Sequence, residues 1–85
     1  MYAILPPDPI AEQQIAALPY DAAQYLAQAL DLLEVAPWAG RPHNPDKPDG
    51  NMRDLTFGGS GLLTYLIVEH AREVCILRVT WLPDD

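Results

Sequence analysis

The chain has 85 residues, enough for one domain with a single hydrophobic core and too few for a second. Nearly half of the residues are hydrophobic and a fifth are charged, a composition typical of folded rather than disordered proteins. Twelve Asp and Glu residues face five Lys and Arg residues, for a formal charge of -7. Because such a surface repels phosphates, we expect neither membrane association nor direct nucleic-acid binding by the chain alone.

The sequence shows no pattern of a signal peptide or a membrane span. Its N-terminal apolar segment reaches Pro6 and Pro7 after five residues, and no apolar run approaches the roughly 20 residues that cross a bilayer. Cys75 is the only cysteine, so an internal disulfide is excluded and a reducing compartment fits best. We therefore expect a cytoplasmic protein without a cofactor, whose small core a partner or a homodimer would help to stabilise.

The first third of the sequence predicts a short strand followed by a helix. Residues 2–5 are apolar and form the strand. Asp8 followed by Pro9 is the usual pair of an N-cap and a first helical residue. Apolar residues recur at helical spacing as far as Leu18, and Pro19 then closes the helix.

A second helix is predicted directly after this break. Asp21 is expected to cap it, with Gln24 three residues later, and Tyr20 and Tyr25 occupy the positions of a hydrophobic staple. The helix ends before Pro37, and the short break favours an antiparallel helical hairpin. Its apolar stripe consists of Ala22, Leu26, Ala29, Leu30 and Leu33.

The second half predicts a long loop and three strands. Six proline and glycine residues between positions 36 and 50 prevent a long helix or strand, and loops of this length are often functional or mobile. Strands follow at residues 52–57, 62–68 and 74–82. The order β-α-α-β-β-β over residues 1–85 predicts a single α+β domain, with the helical hairpin on one face of a mostly antiparallel four-stranded sheet.

Alternation along the strands predicts which side chains face the core. In residues 52–57, Arg53 shares a face with Leu55 and Phe57, so a core position would require its guanidinium to reach the rim or a carboxylate. In the last strand, Arg78 and Thr80 point to the open face. The residues of this strand expected toward the core are Cys75, as a buried thiol, with Leu77, Val79 and Trp81.

These elements and several local motifs resemble the RelE/ParE toxin superfamily. The resemblance extends over almost the whole chain: Asp8-Pro9, Gln14-Ile15, Leu18-Pro19, Pro37-Trp38 with Gly40, Arg53-Asp54-Leu55, and residues 62–67 and 74–79. It implies an antiparallel sheet whose first strand lies beside the last. It also implies the toxin of a type II toxin–antitoxin pair, with a cognate antitoxin that wraps the chain and covers its working face.

The ribosome-dependent nucleases of this superfamily use basic side chains on the sheet and a basic or aromatic residue at the C-terminal end. Arg53 matches the arginine of their Arg-x-Leu motif. The arginine expected early in the next strand falls at Leu63 or Thr64, and the basic pair at the end of the last strand falls at Trp81-Leu82, with Arg78 nearby but offset. The resemblance therefore favours a ParE-like toxin that binds a protein target such as DNA gyrase.

Two alternatives stay open, and with them the question of whether the chain is an enzyme. A ribosome-dependent endoribonuclease would use Arg53 and Arg78 to balance phosphate charge and a histidine for proton transfer. A non-toxic interaction module would share only the fold. In the protein-binding interpretations Trp38, Arg53 and Trp81 are the candidate partner contacts, since large aromatic and arginine side chains anchor interfaces.

Other reactive-looking residues have simpler interpretations. His43 and His70 fall in predicted turns, where histidine serves as an acid or base or is simply exposed. His43 with Asp46 and Asp49 matches no metal-ligand spacing, so we expect no metal site. Residues 58–61, Gly-Gly-Ser-Gly, precede a strand rather than a helix and predict a hairpin turn instead of a phosphate loop.

Overall fold

Two helices pack on one face of a five-stranded sheet in the structure, a computed structural model that describes residues 1–82. The helices are α1 (Pro9–Ala16) and α2 (Tyr20–Val35), and short 3-10 turns lie at Pro37–Ala39 and Glu69–Ala71. The strands are β1 (Ala3–Ile4), β2 (Arg41–Pro42), β3 (Met52–Phe57), β4 (Gly61–Val68) and β5 (Glu73–Trp81). The predicted α+β class and the order of the six predicted elements are confirmed.

The sheet has the strand order β1-β5-β4-β3-β2. β1 pairs in parallel with β5, and every other neighbouring pair is antiparallel, so the first strand lies beside the last as expected. The fifth strand, β2, lies in the proline-rich loop, where the sequence predicted no long helix or strand. It is only two residues long because Pro42 lacks an N–H group and is tolerated only at the edge of a sheet.

Capping explains where the two helices begin. The Asp8 carboxylate accepts a hydrogen bond of 2.8 Å from the backbone N–H of Ala11, and Pro9 is the first helical residue, as predicted. The second helix differs from the prediction: it begins at Tyr20, without a side-chain cap, so Asp21 lies inside the first turn. There its charge is favourable toward the positive end of the helix dipole.

The predicted tyrosine staple at the start of α2 does not form. Tyr20 is 78% exposed: Pro19 is the N-cap, so Tyr20 is the first helical residue and not the residue before the cap that a staple requires. Helix α1 ends at Ala16, and the N–H of Leu18 turns back to the carbonyl of Ile15. No helix within residues 1–82 is both long and apolar enough to cross a bilayer.

The core lies between the hairpin and the sheet. Tyr65 at the centre of β4 has no exposed surface. The stripe of α2 is buried as predicted at four positions, with Leu30 packed at the margin. The other members of the core cluster are Tyr2, Ala11, Phe57, Leu63, Ile67, Val74, Ile76 and Val79.

A β-bulge in β5 changes which residues face the core. Thr64 pairs with Arg78, but the next residue, Tyr65, pairs with Ile76, so Leu77 is an extra residue on β5. Alternation therefore shifts by one across the bulge. Val79 and Trp81 face the core as predicted, whereas the prediction for Cys75 and Leu77 was wrong: both lie on the opposite face, partly exposed.

Candidate functional site

The sheet face opposite the helices, called the open face below, is not covered by either helix of residues 1–82. Core contacts all come from the other face, where Leu63, Tyr65 and Ile67 point. Side chains of the open face are partly buried by their neighbours on adjacent strands. The apolar ones are Met52, Leu62, Leu66, Val68, Cys75 and Leu77.

A row of polar side chains crosses the open face. The strand register aligns Arg41 on β2 with Asp54 on β3, Asp54 with Thr64 on β4, and Thr64 with Arg78 on β5. Because directly opposed residues of antiparallel strands share a face, these four side chains form one line, the polar row. Its charges run positive, negative, uncharged, positive.

Asp54 is the centre of the hydrogen bonding in this row. The Thr64 hydroxyl donates to one carboxylate oxygen at 2.8 Å. The Nδ1 atom of His43, in the loop after β2, lies 3.1 Å from both carboxylate oxygens. The Asp54 side chain is 16% exposed and that of His43 is 47% exposed, so the pair lies at the surface with the carboxylate beneath the ring.

The short strand β2 places His43 over Asp54. The backbone N–H of His43 donates to the carbonyl of Met52 at 2.9 Å, which continues the ladder one residue beyond β2. The approach to β2 requires a glycine, since a Cβ at Gly40 would overlap the Tyr65 hydroxyl and the Asp54 carbonyl. The same hydroxyl accepts from the Gly40 N–H at 3.2 Å and donates to the carbonyl of Pro37.

Arg53 points away from the open face, into the loop and core side, and is only 9% exposed. Its Nε donates to the Gly50 carbonyl at 3.0 Å, Nη1 to the Gly40 carbonyl at 3.1 Å, and Nη2 to the Pro48 carbonyl at 2.8 Å. The expected rim or carboxylate partner is thus replaced by backbone carbonyls. The two predicted catalytic arginines, Arg53 and Arg78, lie on opposite faces and are not brought together.

The two tryptophans occupy different environments. Trp81 stacks on Phe57 with 5.8 Å between ring centroids and packs against the core. Trp38 is 40% exposed, with its Nε1 donating to Glu69 at 2.8 Å and its ring beside the Arg53 guanidinium. Of these predicted partner contacts, Trp38 presents the larger accessible surface, and its ring is held in place from two sides.

Glu69 joins the chain's N-terminal segment to Trp38. Its carboxylate accepts from the Tyr2 hydroxyl at 2.7 and 2.8 Å and from Nη1 of Arg72 at 3.1 Å. The Tyr2 hydroxyl and then the Trp38 indole N–H lower the pKa of Glu69, while the hydrogen bond to Glu69 raises the pKa of Tyr2.

In the core, burial raises the pKa of Tyr65, which keeps that hydroxyl a neutral donor.

The two histidines lie in different parts of the structure. His43 meets Asp54, whereas His70 lies exposed in the 3-10 turn before β5. Within residues 1–82, no group of three metal-ligating side chains could hold a metal ion. Sequence reasoning missed Asp54 as a site residue; the available signal was a carboxylate in the middle of a strand, on the face opposite Arg53.

The similarity of this chain to known proteins lies in its three-dimensional structure. No protein-family model and no curated protein matches the sequence. The structure superposes on the isolated E. coli RelE toxin with a TM-score of 0.78 and 16% identity, over 100% of this chain and 88% of that one. The chain has the RelE fold.

Two toxin–antitoxin complexes contain a similar chain. A chain of the intact E. coli RelBE complex matches at a TM-score of 0.78 and 15% identity, over 99% of this chain and 100% of that one. A chain of the RelBE2 complex of Mycobacterium tuberculosis matches at 0.70 and 22%, over 95% and 98%. With identities this low, the RelE fold is preserved while the side chains on it differ.

Proposed function

We propose that this chain is the toxin-like component of a type II toxin–antitoxin pair, which a cognate antitoxin neutralises and which acts by binding a protein target. The observation that carries the proposal is the full-length match to RelE-fold chains, two of them in toxin–antitoxin complexes. DNA gyrase, the target of ParE-like toxins, is the first protein target to test.

The open face supports protein binding over RNA cleavage. Two arginines lie on it in the polar row, with the Asp54 carboxylate between them. An RNA strand across this row would bring its phosphates against that carboxylate and against a chain of formal charge -7. Most other side chains of the open face are apolar, as in the centre of a protein interface.

The test is induced expression of the chain in a bacterium, with and without its adjacent small reading frame. A protein-targeting toxin stops growth while transcripts stay intact, and DNA breaks accumulate if gyrase is the target. Co-expression with the antitoxin restores growth. A chain that never affects growth would be a non-toxic module of the same fold, and the toxin proposal would be abandoned.

A ribosome-dependent endoribonuclease is the second candidate, and the pair formed by His43 and Asp54 favours it. A carboxylate behind an imidazole orients the ring, which is the arrangement found around a general acid or base. Arg78 in the same row would then balance charge at the phosphate. Primer extension on ribosome-bound mRNA separates the two candidates: cuts that disappear in both His43→Ala and Asp54→Asn, but not in His70→Ala, would replace protein binding by RNA cleavage.

A further inference from the structure

The polar row and the apolar side chains around it match one kind of partner. We propose that the open face docks a helical segment of the antitoxin that carries the inverse charge pattern: a Lys or Arg over Asp54, and acidic residues over Arg41 and Arg78. The proposal rests on the proposed function in taking that partner to be the antitoxin. The charge pattern itself follows from the face.

The apolar part of the face requires an apolar partner. Six partly exposed apolar side chains lie on one side of the sheet, where no helix of residues 1–82 packs. Met52, Leu66 and Cys75 form a continuous row directly beside the polar row, since Leu66 pairs with both of the others. Covering such a row excludes water from apolar surface, which favours association with a protein segment rather than a polar ligand.

A segment that lies across the face must satisfy its own backbone. The N–H and C=O groups of β3, β4 and β5 point along the sheet toward neighbouring strands and leave none for a chain lying on top. An extended segment there would bury unpaired backbone groups, whereas a helix pairs them internally. A helix on the open face would also complete a three-layer arrangement, with the sheet between it and the hairpin.

The charge of the partner follows from Asp54. An ionised carboxylate offers about four acceptor positions. The Thr64 hydroxyl and the His43 ring use part of this capacity, and the Asp54 side chain is still 16% exposed. A Lys or Arg from the partner can take the remainder.

The strand spacing fixes the pattern of charges on the docked helix. Neighbouring strands lie about 4.8 Å apart, so Arg41 is about 5 Å from Asp54 on one side and Arg78 about 10 Å on the other. A helix lying across the strands rises about 1.5 Å per residue. Its acidic residues therefore fall about three or four residues before the basic residue and about seven after it, all on one helix face.

The experiment uses two synthetic helical peptides of equal length with leucines along one face. The first carries Lys at the centre of that face with Glu four residues before and seven after; the second exchanges every Lys and Glu on that face, and charged residues on the opposite face give both peptides the same net charge. We expect the first to bind the full chain at least about tenfold tighter, by titration calorimetry. The methyl NMR signals of Met52 and Leu66 should shift on binding. Equal binding of the two peptides, or shifts confined to the helical hairpin, would overturn the proposal.

Variants of the chain test the charge assignment. Asp54→Asn should reduce the preference for the first peptide to about twofold or less, and the triple variant Arg41→Glu, Asp54→Lys, Arg78→Glu should reverse it. Arg72→Ala, outside the open face, is the matched control and should leave the preference unchanged. Circular dichroism checks that each variant is folded; if the triple variant unfolds, the single variant Asp54→Asn decides.

Other outcomes separate this proposal from the proposed function. If expression never stops growth but the Lys-centred peptide binds as described, the toxin proposal fails and the docking chemistry stands. If growth stops and the antitoxin restores it, but the peptides bind equally, the function stands and the charge pattern is wrong. A 12-nucleotide RNA that shifts Met52 and Leu66, with binding that weakens in Arg78→Ala, would assign the face to RNA and overturn the docking proposal.

Discussion

The guanidinium of Arg53 lies beside the indole of Trp38, with its Cζ atom 4.9 Å from the centre of the ring. The three nitrogens of this side chain, Nε, Nη1 and Nη2, each donate to a backbone carbonyl of the loop between α2 and β3. Arg53 therefore gives the proline-rich loop its shape. That loop in turn carries Arg41 and His43 to the open face, so a buried arginine organises a surface on the other side of the sheet.

Removing this arginine should loosen the loop and destabilise the fold. Arg53→Ala leaves three carbonyls without their charged donor and should lower the free energy of unfolding by about 2–4 kcal/mol in urea denaturation. Arg53→Lys should cost less, although one ammonium group cannot reproduce the planar fork. Arg78→Ala, on the exposed face, is the control and should change stability by about 0.5 kcal/mol or less. Hydrogen exchange in residues 40–50 that stays as slow in Arg53→Ala as in the wild type would contradict this role.

The hydroxyl of Tyr65 should be worth a measurable part of the stability. Tyr65→Phe leaves the Pro37 carbonyl and the Gly40 N–H unpaired in a buried place, at a cost of about 1–3 kcal/mol. Tyr20→Phe removes the hydroxyl of a tyrosine that is 78% exposed and should cost about 0.5 kcal/mol or less. Equal unfolding midpoints for the two variants would show that the buried hydroxyl contributes nothing.

Glu69 should make the fold sensitive to acid. Its pKa is lowered in the folded chain, chiefly by the Tyr2 hydroxyl, so the stability it contributes is fully present above its unfolded pKa. That contribution is lost as the pH falls through the folded pKa. Urea unfolding between pH ~3 and ~7 should therefore show a steeper acid loss in the wild type than in Glu69→Gln.

A second variant checks the origin of this shift. Trp38→Phe removes the indole donor while keeping the carboxylate, and should move the pKa of Glu69 toward its usual value in a carbon-detected NMR titration. A Glu69 titration that is the same in Trp38→Phe and the wild type would show that the indole does not hold the carboxylate.

The turn between β3 and β4 offers a matched pair of glycines. Gly58 and Gly59 have φ angles of 61° and 80°, so an alanine at either is strained by about 1–2 kcal/mol. A Cβ at Gly58 would also press on the Tyr25 ring, whereas nothing lies within 4 Å of one at Gly59. Gly58→Ala should be the more destabilising in thermal unfolding. The difference should shrink when Tyr25→Ala is added, and a larger effect at Gly59 would contradict the geometry.

Local signals in the sequence were sufficient for most of the elements. Asp8 and Pro9 start a helix because the cap and the fixed φ angle act on neighbouring residues only. The stripe of α2 and the spans of the last three strands follow from side-chain period, which is also a local property. For the same reason the overall order, and with it the resemblance to RelE/ParE toxins, could be predicted.

The tertiary structure alone decided where the functional side chains lie. One extra residue in β5 moved Cys75 and Leu77 from the predicted core to the open face, because a bulge reverses alternation without any local signal in the sequence. The Arg53 guanidinium donates hydrogen bonds to backbone carbonyls instead of a carboxylate, because the loop folds back over it. The polar row joins residues from four strands, and its register is set by long-range pairing that no single segment encodes. The sequence by itself determined the helices, the main strands and the acidic charge, and pairing between distant segments decided which of those charges meet.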